Sequence, residues 1–214
     1  MTDIIVYGPP QSSYVRTARI VLAEKGVACE LAPIEFGSPE HLALHPFGRV
    51  PAMRHGDVTL FETFGITRYI DETFDGPALQ PADPLERAQM TQWISAIVDS
   101  VYPATIRSYL MHYVRATMSG SAPDRAAIDA SLDGLKSTLQ TLDKALAGRS
   151  SIVGGATSLA DWFLLPIVFY MTQSPEGGEI MKSCAGLTAW YEGLAGRPSA
   201  QQTLPPPPPA AAAA

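Results

Sequence analysis

The sequence predicts an α/β domain of order βαβαββα followed by an all-α helical bundle, 214 residues in all. Three observations carry that expectation. Short β-rich runs alternate with stretches of helical spacing over the first third; the Pro, Gly and Asp cluster "DGPALQPADP" then breaks the pattern; beyond it, apolar residues recur at intervals of three and four. The expected division is residues 1–75 for the α/β domain, 76–84 for a linker, 85–203 for the helical domain and 204–214 for a Pro- and Ala-rich tail. A unit of roughly 75 residues lies within the ordinary size of a small domain.

"DIIVY" is the first strand, and from Ser13 to Lys25 the residues Val15, Ala18, Val21 and Leu22 keep helical spacing until Gly26 stops it. "ACELAPI" reads as a second strand and "SPEHLALH" as a short helix opened by Ser38 with Pro39 behind it. "PAMRH" and "VTLFE" are strands joined by a turn at Gly56 and Asp57, and a helix follows from Thr63 to Phe74. In "LERAQMTQWISAIVDSV", Met90, Ile94, Ile97, Val98 and Val101 line one helix face; after the turn "TMSGSAPD", Ile128, Leu132, Leu135, Leu139, Leu142 and Leu146 line another. Ser158 opens an apolar helix expected to kink near Pro166, and a last helix spans Leu187 to Gly196. The closing "PPPPPAAAAA" reads as polyproline II followed by an Ala run too short to hold a helix alone.

The apolar fraction of 46% supplies a proper core, and the formal net charge of -6 with scattered Lys and Arg excludes a nucleic-acid binder. The two cysteines, Cys29 and Cys184, form no C-x-x-C pair and are too few for a disulfide framework or a zinc site, which suits a reducing compartment. "MTDIIVYG" lacks the features of a signal peptide, and "LADWFLLPIVFYM" is too short to span a bilayer and carries Asp161 and Pro166. A cytoplasmic protein with no membrane partner and no metal is expected.

The chemistry centres on Ser12 and Ser13, set between a strand and a helix with no histidine or acid beside them. A hydroxyl without a base is a poor nucleophile, but it donates well to an anion held at a helix N-terminus. The same serines would also serve as plain helix caps. Ser158 and Asp161 have the S-x-x-D spacing of a capping box, a structural role worth about 1–2 kcal/mol.

The stretches "YGPPQSSYVRTARIVLAEKG", "LALHPFGRVPAM", "LFETFGITRYI" and "SLADWFLLP", in this order, resemble those of cytosolic glutathione transferases of the serine type, similar to theta-, phi- and zeta-like members. The resemblance covers residues 1 to 203 and implies a thioredoxin-like N-terminal domain, a helical C-terminal domain, glutathione as co-substrate and a small apolar electrophile as its acceptor. It also implies a homodimer, with Phe47 of "HPFGRVP" either an aromatic key inserted into the partner or a residue packed within its own domain. By register, Ser12, four residues before Arg16, takes the catalytic place, stabilising the glutathione thiolate, with Ser13 as its follower.

Glutathione contacts fall by resemblance on Ser13, Arg49, Val50, Pro51, Glu62 and Thr63. Pro51 would be cis, Thr63 would receive the γ-glutamyl carboxylate, and Glu62 would help with the ammonium. His45 and Arg49 depart from the family's Asn and Gln or Lys; Arg49 is a fork able to grip a carboxylate, whereas His45 and His41 read as surface histidines. Arg16 and Arg68 read as helix-surface ion-pair residues. The acceptor pocket would draw on "YPATIRSYLMHYV", with Tyr102, Ile106 and Tyr109, a stripe that equally suits a core.

Ser where omega-like members have Cys favours conjugation or peroxide reduction over thiol–disulfide exchange. Tyr14 stands where the zeta pattern Ser-Ser-Cys has Cys, so a zeta-like isomerase or a dehalogenase is the second reading. A non-catalytic scaffold on the same fold is the alternative of another class, and the retention of Ser12, Pro51, Glu62 and Thr63 argues against it.

Overall fold

A computed structural model of the chain describes residues 3–206. The first seven elements are β1 (Ile4–Tyr7), α1 (Ser13–Glu24), β2 (Glu30–Ala32), α2 (Pro39–Leu44), β3 (Ala52–His55), β4 (Val58–Phe61) and α3 (Thr63–Thr73), in the expected order. The sheet order is β2-β1-β3-β4, with β1 and β2 parallel and the pairs β1/β3 and β3/β4 antiparallel. Ile4, Val6 and Met53 bury one face of it under α1 and α3. β2 is three residues long, not the seven of "ACELAPI", because Pro33 has no N–H to continue a ladder.

The helical part comprises α4 (Pro84–Ala96), wide π-helical turns over Ile97–Val101 and Pro103–Leu110, α5 (Met111–Ser119), α6 (Arg125–Leu146), α7 (Leu159–Gln173), α8 (Pro175–Met181), α9 (Ala185–Ala195) and α10 (Pro198–Gln201). The fold is a thioredoxin-like N-terminal domain followed by a helical C-terminal domain. Ile128, Leu135, Leu139, Leu142 and Leu146 of α6 are buried along the stripe read from their spacing. The helices α8 and α10 were not expected from the sequence: the two glycines of "PEGGEIM" and the brevity of "PSAQ" hide their periodicity. Of the tail, residues 207–214 lie outside the described residues.

Helix α7 is apolar nearly all round and correspondingly buried, with Leu159 to Val168 and Met171 out of solvent. Pro166 sits inside it. A proline there deprives the carbonyl four residues back, that of Trp162, of its helical donor. The Thr17 hydroxyl on α1 lies 3.1 Å from that oxygen and 3.1 Å from the Ser13 carbonyl, so its one proton is shared between the two.

Two charged residues, Arg16 of α1 and Lys25 at its C-cap, are buried. Lys25 pairs with Asp71 at 2.8 Å, both side chains nearly buried, and donates to the carbonyl of Pro77 at 2.9 Å, clamping the segment between α3 and α4. Arg68 does form the surface pair expected of it, with Glu72. Arg16, by contrast, is only 2% exposed and has no carboxylate partner among the described residues; Nη2 donates to the carbonyl of Ala200 at 3.2 Å, and the guanidinium lies over the Phe169 ring. The physical reason is tertiary: α10 closes over the outer face of α1 and removes it from water.

Asp161 is far more than a cap. Completely buried, its carboxylate accepts from the N–H groups of Ile152 (2.8 Å) and Ser158 (2.8 Å), from Ser158 Oγ (3.0 Å) and from Trp190 Nε1 (2.9 Å). Burial pushes the Asp161 carboxyl above its ordinary range, and the four donors offset only part of that rise. A second carboxylate, Glu176, is gripped by Tyr109 Oη (2.8 Å), Tyr113 Oη (2.7 Å) and Arg125, joining α8 to the α5–α6 corner. Burial works against its charged form, but the donors outweigh it and hold its pKa at about 2.

Asp161→Ala leaves two buried N–H groups and an indole N–H without an acceptor, and is expected to cost about 3–5 kcal/mol of unfolding free energy. An unchanged melting temperature would contradict this. For Glu176, a folded pKa depressed below its ordinary value means stabilisation that is present above the unfolded pKa and lost as pH falls toward about 2. The stability gap between wild type and Glu176→Gln, followed by urea unfolding from pH 7 to pH 2, should therefore be widest at neutral pH and close in acid.

Candidate functional site

The loop from β1 into α1 is shaped by Gly8, whose φ of 135° suits only glycine; a Cβ there would come within 2.6 Å of Val15 and 3.0 Å of Val50. This close approach brings the loop against the residue before Pro51, and the Val50–Pro51 peptide is cis. Ser12 occupies the N-cap of α1, with φ -68° and ψ 123°, and its Oγ accepts from the Val15 N–H at 3.4 Å. An accepting hydroxyl keeps its own proton free to donate. No acidic residue stands in the first turn of α1, so the positive end of the helix dipole is left uncompensated beside Ser12. Ser13 is the first residue of the helix, is 5% exposed and does not line the adjoining cavity.

That cavity, of about 490 Å³, lies between the sheet domain and the helical domain. Ser12, His45, Arg49, Val50, Glu62 and Thr63 line its first side. Glu62 precedes α3 with φ 64°, the one non-glycine residue with a positive φ among the described residues; such a conformation costs on the order of 1–3 kcal/mol and clusters at functional sites. Thr63 is the first residue of α3 and Glu62 its N-cap, with no side-chain capping bond. Arg49 is exposed at the rim, its carbonyl accepting from His41 Nε2 at 2.9 Å.

Both histidines expected on the surface are buried, His41 at 0% and His45 at 1% exposure, because the loop after α2 folds back over them. His41 Nδ1 accepts from the Gly37 N–H at 3.1 Å, so His41 ties the ends of that loop together. His45 Nδ1 accepts from the Phe47 N–H at 3.3 Å while Nε2 lies 3.8 Å from Glu62. Burial lowers the His45 pKa, with Glu62 offsetting part of the effect. His45 is thus a wall residue of the cavity that sequence reasoning missed; its place before "PFG" was the available signal.

The second side of the cavity is formed by Ile94, Ser95, Val98, Asp99, Tyr102 and Arg107, with Tyr14, Phe64 and Phe163 beneath. Ile106 and Tyr109, expected here with Tyr102, are in the core instead, at 6% and 0% exposure, and the Tyr109 hydroxyl is committed to Glu176. This segment is widely wound: the N–H groups of Tyr102 and Met111 reach carbonyls five residues back, those of Ile97 and Ile106. Arg107 is the residue that stands with Tyr102 on the cavity face.

Tyr14 is the other missed residue. Its ring stacks on Tyr102, centroids 4.7 Å apart at 21°, and tilts against Phe163 at 6.1 Å. The hydroxyl is buried with no hydrogen-bond partner among the described residues, and burial drives its pKa upward. Cys29 and Cys184 are free thiols whose pKa values burial raises, which leaves them unreactive; Cys29 is only half-buried. Among the described residues no cluster of His, Cys, Asp and Glu is placed to hold a metal, and no helix is long and apolar enough to cross a membrane.

A serine at a helix N-terminus and a carboxylate and a threonine at the start of α3 thus face, across one cavity, a wall of mixed apolar and charged side chains. The family model described as glutathione S-transferase, N-terminal domain, matches residues 2–72, and that for the C-terminal domain matches residues 125–193. Glutathione S-transferase F9 of Arabidopsis thaliana is 31% identical over 206 residues, covering 93% of this chain and 95% of that one. The crystal structure of glutathione transferase F7 from Populus trichocarpa superposes with a TM-score of 0.84 at 29% identity, covering 94% and 97% of the two chains. Glutathione S-transferase I from maize, in complex with an atrazine glutathione conjugate, does so with a TM-score of 0.83 at 28% identity, covering 94% and 96%. The chain belongs to the glutathione S-transferase family. It is an enzyme, a transferase that uses glutathione.

Proposed function

We propose that the enzyme binds glutathione between the β1–α1 loop and the start of α3, holds its sulfur as thiolate with Ser12, and transfers it to an electrophile seated against the α4–α5 face. The observation that carries this reading is the Ser12 hydroxyl at the uncompensated N-terminus of α1, opening on the cavity that Arg49, Val50, Glu62 and Thr63 share. A further support is that a maize relative of the same fold holds a glutathione conjugate. In this scheme the Thr63 hydroxyl and the amides opening α3 receive the γ-glutamyl carboxylate, Glu62 faces the ammonium, and the Val50 backbone, turned by cis Pro51, meets the cysteinyl unit. Arg49 grips the remaining carboxylate at the rim. Ser13, with its side chain buried, has no part in it.

An ordinary thiol with a pKa of about 8.5 is only a few per cent ionised at neutral pH, and the thiolate is the attacking form. Each unit of depression represents about 1.4 kcal/mol of preference for the anion, a scale that one charge-assisted hydrogen bond and the helix dipole together reach. The thiol proton passes to solvent. The sulfur lone pair then forms a C–S bond as the leaving group departs with its electron pair.

The functional units that go with this reading are residues 1–75 for glutathione and 85–203 for the acceptor, joined by residues 76–84, in a cytoplasmic homodimer. Phe47 is 70% exposed in the single chain, with Leu42 and Phe61 also exposed nearby, which favours an aromatic anchor in a partner subunit over packing within its own domain.

Ser12→Ala should slow conjugation of a benzyl halide ten- to a hundredfold while glutathione affinity stays nearly unchanged, with Ser13→Ala costing much less. Thiolate absorbance of the glutathione complex against pH is the decisive measurement: equal pKa values in wild type and Ser12→Ala would overturn the assignment. For the assembly, Phe47→Ala should shift the protein toward monomer in light scattering; a variant that stays dimeric on dilution would refute the anchor.

A further inference from the structure

The acceptor wall of the cavity is not uniformly apolar. Arg107 stands on it with its side chain exposed and, among the described residues, makes no ion pair or hydrogen bond with another side chain. By contrast Arg68, Arg125 and Arg197 each hold a carboxylate. The guanidinium carbon of Arg107 lies 5.4 Å from the Tyr102 ring centroid, and Tyr102 in turn stacks on Tyr14. A fixed cation with open donors therefore ends a stack of aromatic rings.

On this geometry we infer that Arg107 selects the second substrate, and that its class is an aromatic electrophile bearing an anionic substituent such as a carboxylate. The inference rests on the transferase reading above and narrows it. The ring of such a substrate lies against Tyr102, Val98 and Phe163, and its acidic group reaches the guanidinium fork, which matches a carboxylate bidentately. Asp99 lines the same wall eight residues earlier and repels an anion there, so the two charges together set which way round the substrate enters. The electrophilic carbon is then left facing the Ser12 side.

The test compares two product analogues of nearly equal shape, S-(4-carboxybenzyl)glutathione and S-(4-carbamoylbenzyl)glutathione, by titration calorimetry at pH 7.5. Wild type should bind the carboxylate about tenfold more tightly than the amide, with the ratio shrinking in high salt. In Arg107→Gln the ratio should fall to about one through weaker binding of the carboxylate alone, and in Asp99→Asn it should widen. Equal affinities in wild type would overturn the inference, and so would an Arg107→Gln variant that loses both analogues alike, which would assign Arg107 to glutathione itself. If neither analogue binds wild type, the transferase site fails and this inference falls with it; binding of both without a charge preference removes Arg107 only.

Discussion

The contact of α1 with α7 is the seam on which the site depends. Pro166 strips a donor from the most buried helix of the molecule, and Thr17 supplies a replacement from α1. An unmet carbonyl in such a place would cost about 1–3 kcal/mol, so the bond favours one register of α1 on α7 over its neighbours. The same helix also reaches the loop ahead of Ser12, because the Tyr170 hydroxyl donates to the Gln11 carbonyl. The serine at the end of α1 is thus aimed by contacts to a helix about 150 positions later in the chain.

Asp161 holds the other end of that arrangement. It gathers the start of α7, the backbone at Ile152 and the indole of Trp190 around one buried carboxylate. Lys25 and Asp71 do comparable work at the segment between the domains, where a buried pair also engages the backbone of Pro77 and Leu79. Buried charges of this kind add little net stability against apolar substitutes, but each tolerates few alternative geometries. The cavity walls are therefore set by polar contacts, although apolar burial supplies most of the driving force for folding.

Within the cavity, the two sides follow different rules. The side lined by the first domain is made of backbone and short side chains at element starts, Ser12 before α1 and Glu62 and Thr63 at the head of α3, where the first N–H groups of each helix lack helical partners. The opposite side is a widely wound helix face on which Asp99 and Arg107 stand beside Val98 and Tyr102, so that wall carries charge as well as apolar surface.

The order βαβαββα, the helical second domain, the capping place of Ser12 and the Asp161 box were all legible in the sequence, because each rests on spacing within a few residues and on the stereochemistry of Ser, Gly and Pro. The cis bond at Pro51 was legible only through resemblance to a family, since a proline before a strand is trans far more often than cis. What the tertiary structure alone decided was which polar residues lose water: His41, His45 and Arg16 sit in stretches that read as surface until the loop after α2 and helix α10 cover them. It also decided the face of the segment after α4, for a π-helical repeat has no signature in a pattern that fits an α-helix equally well. Local spacing dictates local structure, whereas burial and helical winding are settled by what packs against a segment from far along the chain.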